Sequence, residues 1–221
     1  MIEAVFFDLD GTLADTAPDL AAALNQLLAE QNRTVLPFDV IRPTVSLGGN
    51  AMIRLAFDID EDKPEFASLR QRFLAIYEAR LHNGTRLFPG IPQVLDKLEE
   101  DDLVWGVITN KPSWLTNPLM QKLGLDKRAH CIISGDSTKQ RKPHPAPMLH
   151  ACEITGSDPG YSLYIGDAER DIEAGRAAGM YTLIARYGYL GKDEKPSQWR
   201  ADGMISDPIE IIDWIHNCHD D

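Results

Sequence analysis

Short, continuous hydrophobic runs recur along the chain, and each ends in small or polar residues. The first run, Ala4–Phe7, stops at Asp8, which is typical of a strand buried on both faces of a parallel sheet. Four more runs of this kind predict strands, at residues 103–108, 131–133, 161–165 and 182–185.

Stretches with the spacing of amphipathic helices separate these runs. Leu115, Leu119 and Leu123, for example, recur before Gly124, a residue type that often ends a helix. Alternating strands and helices predict an α/β fold, in which helices cover both faces of a parallel sheet. Ligands of such folds bind beyond the carboxyl ends of the strands, where the polar residues after each run would converge.

Residues 16–82 interrupt this alternation, because they contain helical patterns but no clear strand. The leucines between positions 20 and 28 follow helical spacing. We therefore predict an all-helical insertion over residues 16–82, within a core made of residues 1–15 and 83–221.

Composition narrows the possible ligands of the protein. The chain has 221 residues, 43% of them hydrophobic, which is enough for a substantial buried core. Lys and Arg number 22 against 34 Asp and Glu, so the net charge of −12 argues against a nucleic-acid partner. An anionic ligand would have to be bound locally, by a metal ion, a few cations and backbone N–H groups.

The cysteines and the lengths of the hydrophobic runs predict the cellular compartment of the protein. Cys131, Cys152 and Cys218 are far apart and form no Cys-x-x-Cys pair, so we expect free thiols in a reducing compartment. Asp8 and Asp10 lie within the first ten residues, so we expect no signal peptide. No hydrophobic run approaches the roughly 18 residues of a membrane span, so we expect a cytoplasmic protein with no membrane partner.

The pair Asp8 and Asp10 is the strongest chemical signal, because two carboxylates follow a buried strand within a Gly-containing loop. They would repel each other unless a cation joined them, and Mg²⁺ commonly lies between one or two carboxylates and a substrate phosphate. One carboxylate could then act as a nucleophile and the other could transfer protons. A simple turn or a helix cap is the alternative interpretation.

Three later strands also end in residues that suit phosphate chemistry. Thr109 could donate its hydroxyl to a phosphoryl oxygen, or it could be a helix N-cap. Lys142 could balance phosphoryl charge, or it could be a solvated lysine. Asp167 and Asp171 could complete a metal site, or they could be the acidic residues common at a helix N-terminus.

Together these residues resemble the four motifs of the haloacid dehalogenase superfamily of phosphatases. Motif one is similar to residues 8–12, motif two to Thr109, motif three to Lys142 and motif four to Gly166-Asp167 with Asp171. The resemblance implies a Rossmann-like core with a cap, and the position of the helical insertion resembles the family's α-helical cap type.

The resemblance also implies a role for each residue at the phosphoryl group. Asp8 would be the nucleophile that becomes an aspartyl phosphate, and Asp10 would protonate the leaving group and then activate water. Thr109 and the backbone amides of Asp10 and Asn110 would bind the phosphoryl oxygens, and Lys142 would balance their charge. The resemblance also implies that the dehalogenases of the superfamily lack an aspartate at the position of Asp10. Because this chain has Asp10, we expect it to transfer a phosphoryl group.

The metal ion implied by the resemblance is Mg²⁺. Asp8, the backbone carbonyl of Asp10 and Asp167 would bind it. Asp171 would orient a metal-bound water molecule or Lys142.

The insertion would select the substrate, and its most site-like segment is residues 42–50. Ser46, Gly48 and Gly49 interrupt otherwise helical sequence and could face the site, although an ordinary turn is an alternative. Arg42 could contact an anionic group of the substrate, or it could be solvated.

Within the superfamily, residues 7–20, 109–112, 142–145 and 187–189 resemble the phosphoglycolate phosphatase branch. Residues 186–189 and 199–202 are similar to bacterial phosphatases that act on N-acetylmuramic acid 6-phosphate in cell-wall recycling. We expect a small phosphorylated metabolite as substrate. A phosphomutase of the β-phosphoglucomutase type and a non-catalytic module that binds phosphorylated ligands are alternatives. The resemblance is compatible with a monomer or a homodimer.

Overall fold

Residues 1–217 are described by the computed structural model of this protein. Its strands are β1 (Ala4–Phe7), β2 (Ala14–Asp15), β3 (Arg86–Leu87), β4 (Val104–Ile108), β5 (Cys131–Ile133), β6 (Ser162–Gly166), β7 (Tyr181–Ala185) and β8 (Gly203–Ile205). Its helices are α1 (Ala17–Glu30), α2 (Phe38–Ile41), α3 (Gly49–Phe57), α4 (Pro64–Arg80), α5 (Ile91–Glu100), α6 (Ser113–Lys122), α7 (Ala146–Thr155), α8 (Glu169–Ala178) and α9 (Glu210–Asn217).

Six of these strands form one parallel sheet in the order β5-β4-β1-β6-β7-β8. The predicted α/β fold is therefore confirmed, and all five predicted strands are present with ends that differ by at most one residue. Strand β8 was not predicted. It has only three residues and the side chain of Met204 in it is 47% exposed, so it lacks the continuous hydrophobic run of a central strand.

The two faces of the sheet have separate hydrophobic clusters, because successive side chains of a strand point to opposite faces. Val5 and Phe7 of β1 belong to the cluster that also contains buried residues of α5, α6 and α9. Ala4 and Phe6 belong to the cluster that contains buried residues of α7 and α8. The strand is thus buried on both faces, as its continuous apolar sequence predicts.

The order of the strands determines where a ligand can bind. From β1 the chain adds β4 and β5 on one side, and then crosses to add β6, β7 and β8 on the other. The carboxyl ends of β4, β1 and β6 therefore surround a switch point of the topology, where α/β proteins have their binding crevice.

Helices α1 to α4 lie between two short strands, β2 and β3, which pair antiparallel with Ala14 opposite Leu87 and Asp15 opposite Arg86. We refer to residues 16–82 as the helical insertion. All of its regular structure is helical, as its sequence predicts.

Two of the three cysteines are described by the structure. Cys131 and Cys152 are buried free thiols, and burial raises the pKa of the Cys131 thiol to about 12. Cys218 lies outside the described residues. Over residues 1–217, no helix combines the length and the apolar character needed to cross a membrane.

Asp19 ties the start of the helical insertion to its end. Its buried carboxylate accepts hydrogen bonds from the backbone N–H of Gly84 and of Thr85, both at 2.8 Å, and from the Thr85 hydroxyl at 2.7 Å. Because Gly84 and Thr85 directly precede β3, these bonds hold the two connections between core and insertion side by side.

We predict that Asp19→Ala lowers the free energy of unfolding by about 2–4 kcal/mol, because it leaves buried N–H and hydroxyl groups without an acceptor. Urea denaturation measures this. The matched control is Asp39→Ala, which removes an exposed carboxylate of the same insertion and should change stability by less than about 0.5 kcal/mol. Equal losses in the two variants would contradict the prediction.

Candidate active site

Three buried carboxylates meet at the carboxyl end of the central strands. Asp8 directly follows β1, Asp167 directly follows β6, and Asp171 lies in the first turn of α8. One carboxylate oxygen from each lies within 4.8 Å of those of the other two. The parallel sheet thus brings together residues that are more than 150 positions apart in the sequence.

Lys142 is the cation of this cluster. Its Nζ lies 3.0 Å from Asp8 Oδ1 and 2.7 Å from Asp171 Oδ1, and it donates to the Ile108 carbonyl at 2.9 Å and to the Tyr164 hydroxyl at 2.6 Å. Lys142 is only 3% exposed, so the alternative interpretation of a solvated lysine is wrong. Burial raises the pKa of Asp8 above its usual range, although the neighbouring Lys142 charge partly opposes this effect.

Asn110 fixes the backbone of Lys142. Its side-chain nitrogen donates to the Lys142 carbonyl at 2.9 Å, and its side-chain oxygen accepts from the Lys142 N–H at 3.1 Å. The Asn110 side chain therefore connects the loop after β4 to the loop that carries Lys142. The predicted phosphoryl contact of Asn110 through its backbone amide remains a prediction.

Asp167 has one satisfied and one unsatisfied oxygen. Oδ2 accepts from the Ser46 hydroxyl at 2.6 Å and from the Tyr189 N–H at 2.8 Å, whereas Oδ1 is buried and has no hydrogen-bond partner among the described residues. Burial, followed by the charges of Asp171 and Asp8, raises the pKa of Asp167 to about 7. A buried carboxylate oxygen without a donor, beside two further carboxylates, fits a hard divalent cation.

Two glycines allow the loops to approach Asp167 closely. Gly11 has a φ of +88°, and a Cβ there would lie 2.2 Å from Asp167 Oδ2. A Cβ at Gly188 would lie 2.4 Å from both the Asp167 Cβ and the Gly11 carbonyl oxygen. Larger residues at either position would push the carboxylate out of the cluster.

Asp10 lies at the edge of the cluster and is held by two donors. The Thr16 hydroxyl donates to its Oδ1 at 2.6 Å, and Lys111 Nζ lies 2.9 Å from Oδ1 and 3.2 Å from Oδ2. Lys111 also donates to the Tyr77 hydroxyl of α4 at 2.9 Å. Although burial lowers the pKa of Lys111, the charges of Asp10 and Tyr77 outweigh it, and the pKa is raised above its usual range.

Thr109 follows β4 at the point where the sheet meets the site. Its backbone N–H donates to the Ile133 carbonyl at 2.9 Å, and its hydroxyl oxygen accepts from the Lys111 N–H at 3.2 Å. The next helix, α6, begins only at Ser113 and is preceded by Pro112, so Thr109 is not its N-cap. The helix N-cap alternative for Thr109 is therefore wrong.

A cavity of about 340 Å³ lies between the core and the helical insertion. The predicted residues Ser46, Gly48 and Gly49 line it from the insertion. From the core it is lined by the predicted residues Asp8, Asp10, Thr109 and Asn110.

Arg42 lies outside this cavity lining, contrary to the substrate contact predicted for it. Its guanidinium carbon lies 4.8 Å from the centroid of the Tyr189 ring, and its Nη2 donates to the Tyr187 carbonyl at 3.3 Å. Residues 42–50 are predicted to face the site. Arg42, however, begins the short 3₁₀ helix Arg42–Thr44, and its side chain contacts the core loop that contains Tyr187 and Tyr189.

Lys111 and Arg170 are cationic residues of the site that the sequence analysis did not predict. Both line the cavity, and the Arg170 guanidinium donates to the Ser46 carbonyl. Lys111 directly follows the predicted residue Asn110, and Arg170 directly precedes the predicted residue Asp171. This position beside a motif residue was the sequence signal that could have identified them. A lone lysine or arginine is usually solvated, which is why that signal was weak.

Comparison with known proteins identifies relatives across the whole chain. A family model described as haloacid dehalogenase-like hydrolase matches residues 5–185. The N-acetylmuramic acid 6-phosphate phosphatase of Pseudomonas aeruginosa is 42% identical over 212 residues, which are 96% of this chain and 94% of that protein. A phosphoglycolate phosphatase of Xanthomonas campestris pv. campestris is 41% identical over 208 residues, 94% of each chain.

A solved structure supports the same relationship. The structure of a predicted phosphoglycolate phosphatase from Haemophilus somnus superimposes with a TM-score of 0.85 at 29% identity, and the match covers 96% of this chain and 97% of that one. The similarity therefore includes both the core and the helical insertion.

The raised pKa of Asp167 predicts a pH-dependent gain in stability when its charge is removed. The folded-state pKa of about 7 exceeds the reference value of 3.8, so ionisation destabilises the fold fully above pH 7 and progressively less as the pH falls towards 3.8. With a chelator present, Asp167→Asn should raise the free energy of unfolding at pH 8 by up to about 4 kcal/mol, and the gain should shrink towards pH 5.

Urea denaturation at both pH values measures this difference. Asp193→Asn removes an exposed carboxylate and is the control, for which no such pH-dependent gain is expected. A gain for Asp167→Asn that is the same at pH 8 and pH 5 would contradict the prediction.

Proposed function

This chain belongs to the haloacid dehalogenase-like hydrolases and is a phosphoric monoester hydrolase, and we propose that its substrate is a sugar-sized phosphomonoester, best represented by N-acetylmuramic acid 6-phosphate. The observation that carries this proposal is a cavity of about 340 Å³ with buried Asp8 in its lining. The relatives named N-acetylmuramic acid 6-phosphate phosphatase support it over nearly the full length of the chain.

Asp8 is the nucleophile in this proposal. The Leu9 N–H donates to its Oδ1 at 2.8 Å and Lys142 Nζ lies 3.0 Å from the same atom, so the carboxylate is held in one orientation. A bond forms between an Asp8 oxygen and phosphorus, and the bond from phosphorus to the leaving oxygen breaks. Thr109 lines the cavity beside Asp8 and is suited to donate to a phosphoryl oxygen.

Asp10 transfers the protons in the two steps. It gives a proton to the leaving oxygen as the aspartyl phosphate forms, and it then takes a proton from the water that attacks phosphorus. That attack breaks the bond to Asp8 and releases inorganic phosphate. Thr16 and Lys111 fix the Asp10 carboxylate at the cavity, which suits a group that must reach both the leaving oxygen and the water.

Asp8, Asp167 and the backbone carbonyl of Asp10 would bind Mg²⁺, with Asp171 beside them. When bound, Mg²⁺ would reduce the repulsion between the phosphoryl group and the Asp8 carboxylate. The unsatisfied Asp167 Oδ1 and the proximity of the three carboxylates support this assignment. Lys142 supplies further positive charge beside Asp8 and Asp171.

The helical insertion acts as a cap in this proposal, over residues 16–82, on a core of residues 1–15 and 83–221. Its contribution to the cavity is largely apolar and includes Met52, Phe73 and Leu74. Apolar side chains suit the body of a sugar better than a two-carbon acid, and the cavity volume falls within the range of pockets for organic ligands. The apolar lining therefore favours the sugar phosphate.

Hydrolysis of 2-phosphoglycolate is the second candidate function. The phosphoglycolate phosphatase of Xanthomonas campestris pv. campestris is 41% identical to this chain, which is almost the same identity as for the first candidate. The two candidates share the phosphoryl site and differ only in what the insertion contacts.

We expect Asp8→Asn to lower kcat for p-nitrophenyl phosphate in Mg²⁺ buffer at least about 1,000-fold, because the amide cannot form the phosphorylated intermediate. Asp193→Asn, an exposed change of the same kind, should keep wild-type kcat. Thermal melts verify that both variants are folded. Wild-type turnover by Asp8→Asn would refute the assignment of the nucleophile.

We expect kcat/KM for N-acetylmuramic acid 6-phosphate to exceed that for 2-phosphoglycolate at least about 10-fold, because only the sugar contacts the apolar surface of the insertion. Phosphate release measures both values. The reverse ratio would favour the second candidate, and equal low values would exclude both.

A further inference from the structure

Four cationic side chains line the cavity, and three of them, Lys111, Arg141 and Arg170, belong to the core. Lys111 contacts Asp10, and Arg170 donates to the Ser46 carbonyl, whose hydroxyl contacts Asp167. Arg141 directly precedes Lys142 in the core. The fourth, Arg70, comes from α4 of the helical insertion, so it lies on the side of the cavity that would face the rest of the substrate.

Arg70 is held by a chain of hydrogen bonds within the insertion. Its Nε donates to Asn50 Oδ1 at 2.6 Å, and the Asn50 side-chain nitrogen donates to Glu61 Oε2 at 2.8 Å. Glu61 in turn pairs with Arg54. Among the described residues, the two terminal amino groups of Arg70 have no hydrogen-bond acceptor. The guanidinium is therefore oriented through Nε, and its amino groups can still donate to a ligand.

From this arrangement we infer that Arg70 binds a carboxylate of the substrate, remote from the phosphoryl group. The inference rests on the proposed function, because N-acetylmuramic acid 6-phosphate carries such a group on its lactyl ether. A guanidinium with two free amino groups matches the two oxygens of a carboxylate.

The local charge favours a carboxylate over a second phosphate. The insertion contributes a single cation, Arg70, to the described cavity lining, and Glu61 lies two hydrogen bonds away from it. A phosphate carries nearly two negative charges at neutral pH, which the single positive charge of Arg70 would not balance. A group with one negative charge is the better match for this site.

Arg72 provides a matched control on the same helix. Its guanidinium is already paired with Glu30, through contacts of 2.8 Å from Nε and 2.7 Å from Nη2, and it is not part of the cavity lining. Residues two positions apart on a helix do not share a face. Arg72→Met thus removes the same charge from the same exposed helix without touching the cavity.

The test compares two substrates that differ only in the lactyl ether that carries the carboxylate, N-acetylmuramic acid 6-phosphate and N-acetylglucosamine 6-phosphate. Arg70→Met should lower kcat/KM for the first about 10-fold, mainly through KM, because it removes a charge-assisted contact at an exposed site. It should leave kcat/KM for the second unchanged. Arg72→Met should leave both unchanged.

Two further variants test how Arg70 is used. Arg70→Lys keeps the charge but loses the planar fork, so it should recover part of the loss. Asn50→Leu removes the acceptor that orients Arg70, and it should raise KM for the carboxylate substrate in the same direction as Arg70→Met. Thermal melts verify that each variant is folded.

The outcomes separate this inference from the proposed function. Suppose that wild type hydrolyses N-acetylmuramic acid 6-phosphate. If Arg70→Met then lowers kcat/KM equally for both sugar phosphates, or for neither, the inference is wrong and the proposed function stands. If wild type hydrolyses p-nitrophenyl phosphate but neither sugar phosphate, the proposed substrate is wrong. The two sugar phosphates are then compared as inhibitors of p-nitrophenyl phosphate hydrolysis, and inhibition constants unaffected by Arg70→Met would contradict the inference.

Discussion

The Lys142 ammonium lies between Asp8 and Asp171, and its Nζ is 3.0 Å from one carboxylate oxygen and 2.7 Å from the other. Three buried carboxylates in one crevice would repel one another strongly, and an unpaired buried charge costs several kcal/mol. The Ile108 carbonyl and the Tyr164 hydroxyl also accept hydrogen bonds from Lys142 Nζ, so the position of the ammonium group is fixed. The rest of the site depends on this contact, because the Lys142 charge opposes the rise that burial causes in the pKa of Asp8, and the contact fixes the orientation of the carboxylate.

The topology of the sheet makes that contact possible. The loops after β4, β1 and β6 meet at one edge because the chain reverses its direction of strand addition at β1. Gly11 and Gly188 then allow two loops to approach Asp167 more closely than any side chain would permit. The Ser46 hydroxyl joins the helical insertion to the same carboxylate, so the insertion and the charged cluster share a hydrogen bond.

The charge of the whole chain and the charge of its site have opposite signs. The protein carries a net charge of −12, yet Lys111, Lys142 and Arg170 surround the acidic residues at the crevice. An anion is therefore attracted over a short range only, because salt screens exposed charges beyond roughly 10 Å. Selectivity for one phosphomonoester must come from the residues that contact its other end, and the insertion contributes one cation, Arg70, to the described cavity lining.

The sequence alone determined the parallel strands and the acids at their ends, because burial on both faces requires continuous apolar runs and a strand must stop where charge begins. It could not determine contacts between the insertion and the core, since these depend on how helices pack. Lys111 meets Asp10 across 101 positions, and Arg42 turns to Tyr189 rather than to the cavity. Strand β8 was also invisible, because an edge strand of three residues needs only the neighbouring β7 to form. Local pattern thus identified the phosphoryl chemistry, whereas only the tertiary structure decided which side chains surround the remainder of the substrate.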